Sequence, residues 1–271
     1  MTSVTEDAPA KVNLALHVTG QRADGYHLID SLVVFLDIGD RVTLSPGSGF
    51  AVTGPFAPDV PTDGDNLCLR ALDLAGLTGR VELEKNLPVA SGLGGGSADA
   101  AAVLRAGGQV PSDPVRLGAD LPVCLLSKPC RMGGIGEVLS AAPDMPVLHL
   151  VLVNPGVPVS TPAVYAALTR RDNSGLPPYG PDFMGWLAQT RNDLQPPAIA
   201  MTPVISDVLA ALEGAGADLV RMSGSGATCF GLFRDAVAAS DAAVTLGAVH
   251  PDWWVKAART IQGLPSATRR D

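Results

Sequence analysis

The sequence predicts an α+β fold in two domains, residues 1–146 and 147–271. Three observations carry this. Strand-like stretches near the N-terminus follow one another closely, and later ones alternate with helical stretches, a mixture that favours α+β over a doubly wound parallel sheet. Four glycines within residues 92–96 open directly into an alanine-rich segment of high helix propensity. The natural boundary between the two units falls near residues 144–148, and no internal repeat is visible.

Along the chain, residues 11–18 alternate, with Val12, Leu14, Leu16 and Val18 on one face and Lys11, Asn13, Ala15 and His17 on the other. A period of two is that of a half-buried strand. After a loop at residues 20–25, residues 28–38 read as a second strand and 41–44 as a third. Residues 45–62 are rich in Gly and Pro and read as a hairpin with long connections. Asp63 or Asp65 is placed to cap a helix running through Leu67, Leu69, Leu72 and Leu74. A short strand follows at 81–84. Beyond the glycine loop and its helix, residues 118–126 start another helix, with Asp120 near the cap and Pro122 in the first turn. Residues 131–137 form a turn-rich ribbon. In the second unit, 148–153 is a buried strand, 161–168 a short helix and 172–181 a surface loop. Residues 201–213 are a helix ended by Gly214 and Gly216, and 219–222 and 228–233 are strands around the turn Ser223-Gly-Ser-Gly-Ala227. A helix at 236–246 and a strand at 253–257 complete the reading.

Composition removes several classes of function. With 46% apolar residues the chain is not disordered. Gly 30 and Pro 23 make about a fifth of it, without the triplet period of collagen. The formal net charge of −8 is opposite to the basic face of a nucleic-acid binder, so no nucleic-acid partner is expected. Cys68, Cys124, Cys130 and Cys229 show no C-x-x-C spacing. They read as free thiols in a reducing compartment, packed as small apolar residues. Residues 1–8 carry Glu6 and Asp7 and lack the apolar core of a signal peptide, and the apolar runs are far shorter than a membrane span. The expected setting is the cytoplasm, with no membrane partner.

The glycine loop carries the chemistry. The first N–H groups of a helix have no carbonyl partners, the helix dipole places partial positive charge there, and glycine lets phosphates approach the backbone closely. Within residues 85–105 the only charges are Lys85, Asp99 and Arg105, so attraction for an anion comes mainly from the backbone. The loop is not a Walker loop, because Ser97 and Ala98 follow Gly96 where Lys is required. It is not a dinucleotide fingerprint, whose third glycine would fall at Ser97. It enters a helix, which separates it from the protein-kinase loop between two strands.

The segment Pro88-Val-Ala-Ser-Gly-Leu-Gly-Gly-Gly-Ser-Ala98 resembles the P-x-x-x-G-L-G-x-S-S-A motif of the GHMP small-molecule kinases. Four further motifs stand in order around it: Ala8-Pro-Ala-Lys-Val-Asn-Leu14, Gly20-Gln-Arg-Ala-Asp-Gly-Tyr-His27, Gly118-Ala-Asp-Leu-Pro122 and Gly134-Ile-Gly-Glu137. The resemblance runs over residues 8–233, and five motifs in one order are far more specific than any one of them. Within the family the set is most similar to the branch that phosphorylates a cytidyl diphosphate alcohol on the non-mevalonate route to isoprenoid precursors.

The resemblance implies a two-domain GHMP-kinase-like fold, with an N-terminal ribosomal-S5-domain-2-like nucleotide domain and a C-terminal ferredoxin-like domain. It implies ATP as phosphoryl donor, bound by Pro88, Val89, Ala90, Ser91, Gly92, Leu93, Gly94, Gly95, Gly96, Ser97 and Ala98, with Asn66 near the adenine. Lys11 and Asp120 are implied as the catalytic pair that activates the acceptor hydroxyl. Asn13, Tyr26 and His27 are implied as binders of the cytidyl end of a small-molecule substrate. Phosphoryl transfer calls for Mg²⁺, with Ser97 as its candidate ligand. The Ser223–Ala227 turn, by itself a tight hairpin, is implied to pack against the site from the second domain. Two departures stand out. Ala98 replaces the motif's second serine, and the span from Ser97 to Asp120 is short, as if a helix were trimmed. Two alternatives therefore stay open: another GHMP small-molecule kinase, and a nucleotide-binding protein of the same fold without turnover.

Overall fold

The computed structural model describes residues 2–264 and 268–270. Two long strands, β1 (Ser3–Gln21) and β2 (His27–Ser45), pair antiparallel along almost their whole length and form the spine of the molecule. The strands predicted at 28–38 and 41–44 are this one strand. Gly39 joins them because β1 passes so close that a Cβ there would lie 2.3 Å from the Ala8 carbonyl oxygen. Nor is β1 half-buried: Lys11, Asn13 and His17 are 4%, 2% and 1% exposed. Both faces of the β1–β2 ribbon are covered, so the polar face of β1 is turned into protein rather than water.

β3 (Gly49–Thr53) leads through α1 (Leu67–Leu74) to β4 (Arg80–Glu84), and β3 runs parallel to β4 while β4 pairs with β2. The region 45–62 is therefore not a hairpin; the helix between the strands makes the crossover that a parallel pair needs. Asn66, rather than Asp63 or Asp65, caps α1, its Oδ1 accepting from the Cys68 N–H at 2.8 Å. α2 (Gly95–Gly107) follows the glycine loop. A single 3-10 turn (Pro114–Leu117) then closes the short span to α3 (Leu121–Leu126). The ribbon is β5 (Cys130–Gly133) and β6 (Val138–Ala141).

The second half holds β7 (His149–Asn154), α4 (Thr161–Ala166), α5 (Phe183–Ala188), α6 (Gln195–Met201) and α7 (Val204–Gly214). β8 (Leu219–Met222), β9 (Cys229–Phe233), α8 (Ala236–Val249), β10 (Trp254–Ile261) and β11 (Thr268–Arg270) complete it. The helix predicted at 201–213 begins at Val204, after Pro203. α5 and α6 are not readable as helices in the sequence; Gln195-Pro-Pro reads as a loop, although proline is tolerated in a first helical turn. The antiparallel order β10-β7-β9-β8 is that of a ferredoxin-like sheet.

β10 joins the halves, pairing with β7 from Trp254 to Arg259 and with β2 at Thr260 and Ile261. The side chains agree with this. Val33, Phe35 and Val42 pack under α1–α3, whereas Val12, Leu14, Leu32 and Val34 pack against Leu150, Leu152 and Phe230 of the other half. All four cysteines are buried free thiols. Among the described residues no single helix is long and apolar enough to cross a membrane.

Candidate active site

Lys11 sits on β1 between two shifts in the register with β2, at Pro9/Lys11 and Asn13/Ala15. Such breaks in a ladder re-aim side chains, and here they flank the only lysine of the strand. Lys11 Nζ donates to Asn13 Oδ1 at 2.9 Å and lies 2.9 Å from Asp120 Oδ2. Asn13 is itself held, its Nδ2 donating to Ser31 Oγ at 2.8 Å. Asp120 occupies the N-cap position of α3, but its side chain makes no cap bond there. Its carboxylate turns to Lys11 instead, so the capping alternative does not describe it.

The glycine loop meets this pair directly. Gly94 is the N-cap of α2, left-handed with φ 66° and without a side-chain cap. The Ala98 N–H bonds back to the Gly94 carbonyl at 2.9 Å, which leaves the N–H groups of Gly95, Gly96 and Ser97 outside the helical ladder. A Cβ on Gly94 would lie 3.0 Å from Lys11 Cε and 3.6 Å from Asp120 Oδ2. The turn at Ser223–Ala227 is both a hairpin and a buttress. Ser223 Oγ donates to the Gly92 carbonyl at 3.0 Å and accepts from the Asn13 N–H at 3.1 Å. The Thr228 N–H donates to the Ser91 carbonyl at 3.1 Å.

Under the loop lies a buried triad. Lys85 Nζ is 2.6 Å from Asp40 Oδ2 and 2.7 Å from Asp99 Oδ2. Asp40 Oδ1 also accepts from the N–H groups of Asn86 and Leu87, at 2.6 and 2.8 Å, whereas Asp99 Oδ1 is buried without a partner. Burial alone would lower the Lys85 ammonium, but the charges of Asp99 and Asp40 raise it above its ordinary value. Burial raises the Asp99 carboxyl to about 7, against the pull of Lys85. Arg105, the other cation of the loop segment, pairs with Glu6 at 2.9 Å. The loop's own cations are thus tied to carboxylates.

A cleft of about 1170 Å³ joins these parts. Lys11, Asn13, Tyr26, His27, Asn66 and Asp120 line it, as do Val89, Ala90, Ser91, Gly92, Gly94, Gly95, Gly96 and Ser97. Pro88, Leu93 and Ala98 do not: all three are buried behind the loop, where their apolar side chains hold it to the core. Asn66 is fixed in the cleft wall, where its Oδ1 caps α1 and its Nδ2 donates to the Pro61 carbonyl at 2.7 Å. At the far end the His27 ring stacks on Tyr165, with centroids 4.9 Å apart. His27 Nε2 is buried without a partner, and burial, then the Arg171 charge, lowers its pKa. Tyr26 stands 59% exposed at the mouth. Sequence reasoning missed Tyr165, Arg171, the Thr161–Ser225 hydroxyl pair at 2.6 Å and the triad. Only the triad left a signal, in that Lys85 and Asp99 are two of three charges in an otherwise neutral stretch.

This geometry has named counterparts. Residues 66–126 match the family described as "GHMP kinases N terminal domain" and residues 182–252 match "GHMP kinases C terminal". A 4-diphosphocytidyl-2-C-methyl-D-erythritol kinase of Paracoccus denitrificans (strain Pd 1222) is 60% identical over 259 residues, covering 93% of this chain and 95% of that one. The chain belongs to the 4-diphosphocytidyl-2-C-methyl-D-erythritol kinase branch of the GHMP kinases. It is an ATP-dependent small-molecule kinase. A solved 4-(cytidine 5'-diphospho)-2C-methyl-D-erythritol kinase shares its fold with a TM-score of 0.74 at 34% identity, covering 95% of this chain and 99% of that one. A homoserine kinase from Cytophaga hutchinsonii superposes with a TM-score of 0.66 at 18% identity, covering 100% of this chain and 98% of that one, and shows the shared fold alone.

Proposed function

We propose that this kinase transfers the γ-phosphoryl group of ATP to the 2-hydroxyl of 4-diphosphocytidyl-2-C-methyl-D-erythritol, in the cytoplasm, on the non-mevalonate route to isoprenoid precursors. The observation that carries the reading is that the Lys11–Asp120 pair stands so close to the Gly94 turn that a Cβ there would lie 3.0 Å from Lys11 Cε. It sets a cation and a carboxylate at the phosphate end of an anion-binding helix terminus. The phosphates of ATP rest on the free N–H groups of Gly95, Gly96 and Ser97. The acceptor hydroxyl lies between Lys11 Nζ and Asp120 Oδ2. Its oxygen bonds to the γ-phosphorus as the bond to the β–γ bridging oxygen breaks, its proton passes to Asp120, and ADP leaves. Lys11 stabilises the charge on the transferring group, held in place by Asn13. At the other end the cytosine ring lies against the His27 and Tyr165 rings, and the free His27 Nε2 faces its polar edge.

Mg²⁺ fits this site as an ion that arrives with the phosphates. Among the described residues no three His, Cys, Asp or Glu side chains gather to hold a metal, but the Ser97 hydroxyl at the loop offers one oxygen to an ion that keeps waters and phosphate oxygens as its other ligands. When bound it would neutralise charge on the β- and γ-oxygens.

A coupled assay of ADP release tests the reading. Lys11→Ala and Asp120→Asn should each lower turnover by roughly 10²- to 10⁴-fold while ATP still binds. Full activity in either variant removes that residue from the chemistry. The wild type should release ADP with the cytidyl acceptor and not with homoserine, mevalonate or galactose; the reverse would overturn the substrate.

A further inference from the structure

Of the three cations that line the cleft, Arg171 alone lacks a carboxylate partner among the described residues. The cations are Lys11, Lys85 and Arg171, and the acids are Asp24, Asp65, Asp99 and Asp120. Lys11 is paired with Asp120, and Lys85 with Asp40 and Asp99. Arg171 has no carboxylate partner among the described residues. Its one hydrogen bond there runs from a terminal nitrogen to the Ala166 carbonyl at 3.3 Å, and its Nε is buried with no partner. Arg170 and Asp172 on either side pair with each other at 3.0 Å and leave Arg171 between them turned into the cleft. The carbonyl it touches is next to Tyr165, whose ring stacks on His27. The guanidinium is close enough to His27 that its charge adds to burial in lowering the ring's pKa.

An unpaired guanidinium with a buried, unsatisfied N–H is costly unless a ligand completes it. Planar guanidinium donors match phosphate oxygens, and a diphosphate linking a cytidine to an alcohol passes between the base at His27 and the hydroxyl at Lys11. We propose that Arg171 binds the diphosphate of the cytidyl acceptor and is a specificity-determining residue for that substrate. This rests on the cytidyl reading above. It places the charge selection for the acceptor in the C-terminal half of the chain, apart from the phosphate loop that holds ATP. The loop at residues 172–181 then serves to hold Arg171 in place. Leu176 N–H and Arg131 both bond to Asp30, which pins that loop, and so the chain just beyond Arg171, to β2.

The test compares Arg171→Gln and Arg171→Lys with the wild type, using CDP and cytidine as competitors against the acceptor. Arg171→Gln should raise the acceptor KM and weaken inhibition by CDP by roughly 10- to 100-fold, the loss of one charge-assisted contact. Its KM for ATP and its inhibition by cytidine should stay within about twofold of wild type, because cytidine lacks the phosphates. Arg171→Lys, a point charge without the fork, should recover part of the CDP affinity. If Arg171→Gln binds CDP as the wild type does, or loses CDP and cytidine to the same degree, the diphosphate assignment is overturned. If CDP fails to compete with the wild type at all, the cytidyl reading falls with it. An unchanged KM for ATP shows that the variant is folded, and Arg171→Lys supplies the comparison should Arg171→Gln not be.

Discussion

Asp99 carries a carboxyl into the core beneath the phosphate loop, where it shares Lys85 with Asp40. Asp40 is the better solvated by protein, with two backbone N–H donors, and Asp99 has an oxygen with none. Burial raises the Asp99 carboxyl, so it takes up a proton at higher pH than an ordinary carboxyl does. Its folded value of about 7 lies above the ordinary 3.8. Between those values the folded chain holds a proton that the unfolded chain has released, so this group makes stability fall as pH rises through that window. The slope is at most about 1.4 kcal/mol per pH unit and ends above about 7. Asp99→Asn cannot titrate. Denaturant unfolding from pH 4 to 8 should show the wild type gaining stability relative to Asp99→Asn as pH falls; parallel curves would show that Asp99 stays ionised. Lys11 illustrates a different limit of sequence reasoning. Its residue type and its spacing from Asn13 were readable and the resemblance paired it with Asp120, but its burial and the direct 2.9 Å contact with that carboxylate were not, because the partner lies 109 positions away and is brought there by the fold.

At the scale of elements, the loop and α2 act as one piece with the β8–β9 turn. The sequence shows that glycines are needed; the structure shows that each is needed for a different reason. Gly92 has φ +79° and faces the Ser223 carbonyl, 2.4 Å from where a Cβ would stand. Gly108, at the C-terminal end of α2, has a similar φ of +66° but open space around it. Gly108→Ala should cost about 1 kcal/mol for the left-handed backbone alone. Gly92→Ala adds overpacking against backbone, about 1–3 kcal/mol more, and should raise the KM for ATP. Thermal melts and ATP kinetics on the two variants separate these effects, and equal costs would mean that the loop yields without disturbing the turn. Element boundaries were legible where caps and glycines mark them, as at α2. They were hidden where a strand runs straight through a glycine, as at Gly39, or where prolines open a helix, as at α6.

At the scale of the whole molecule, we propose the division at residues 146 and 147 as a division of topology rather than of stability. Val12, Leu14, Leu32 and Val34 bury their side chains against Leu150, Leu152 and Phe230, and β10 hydrogen-bonds to both halves. A fragment of residues 1–146 leaves that face of β1 and β2 in water, and leaves Gly92 without Ser223. Expressed alone, it should bind a hydrophobic dye and lack the sharp near-ultraviolet dichroism of the intact chain. A fragment with native-like dichroism and a cooperative melt would show that the first half folds unaided.

Local chemistry is what the sequence determined by itself. Strand periodicity, the glycine loop opening into α2 and each of the five ordered motifs are properties of neighbouring residues. The family resemblance rests on the five motifs alone. Four things were decided only by the tertiary structure: that the polar face of β1 is buried, that the Asp120 carboxylate turns to Lys11 and makes no cap bond to its own helix, that Lys85 is shared by two carboxylates, and that Arg171 has none among the described residues. Each depends on which residues from distant parts of the chain arrive at the same place, and that is set by how the two halves pack on the β1–β2 ribbon.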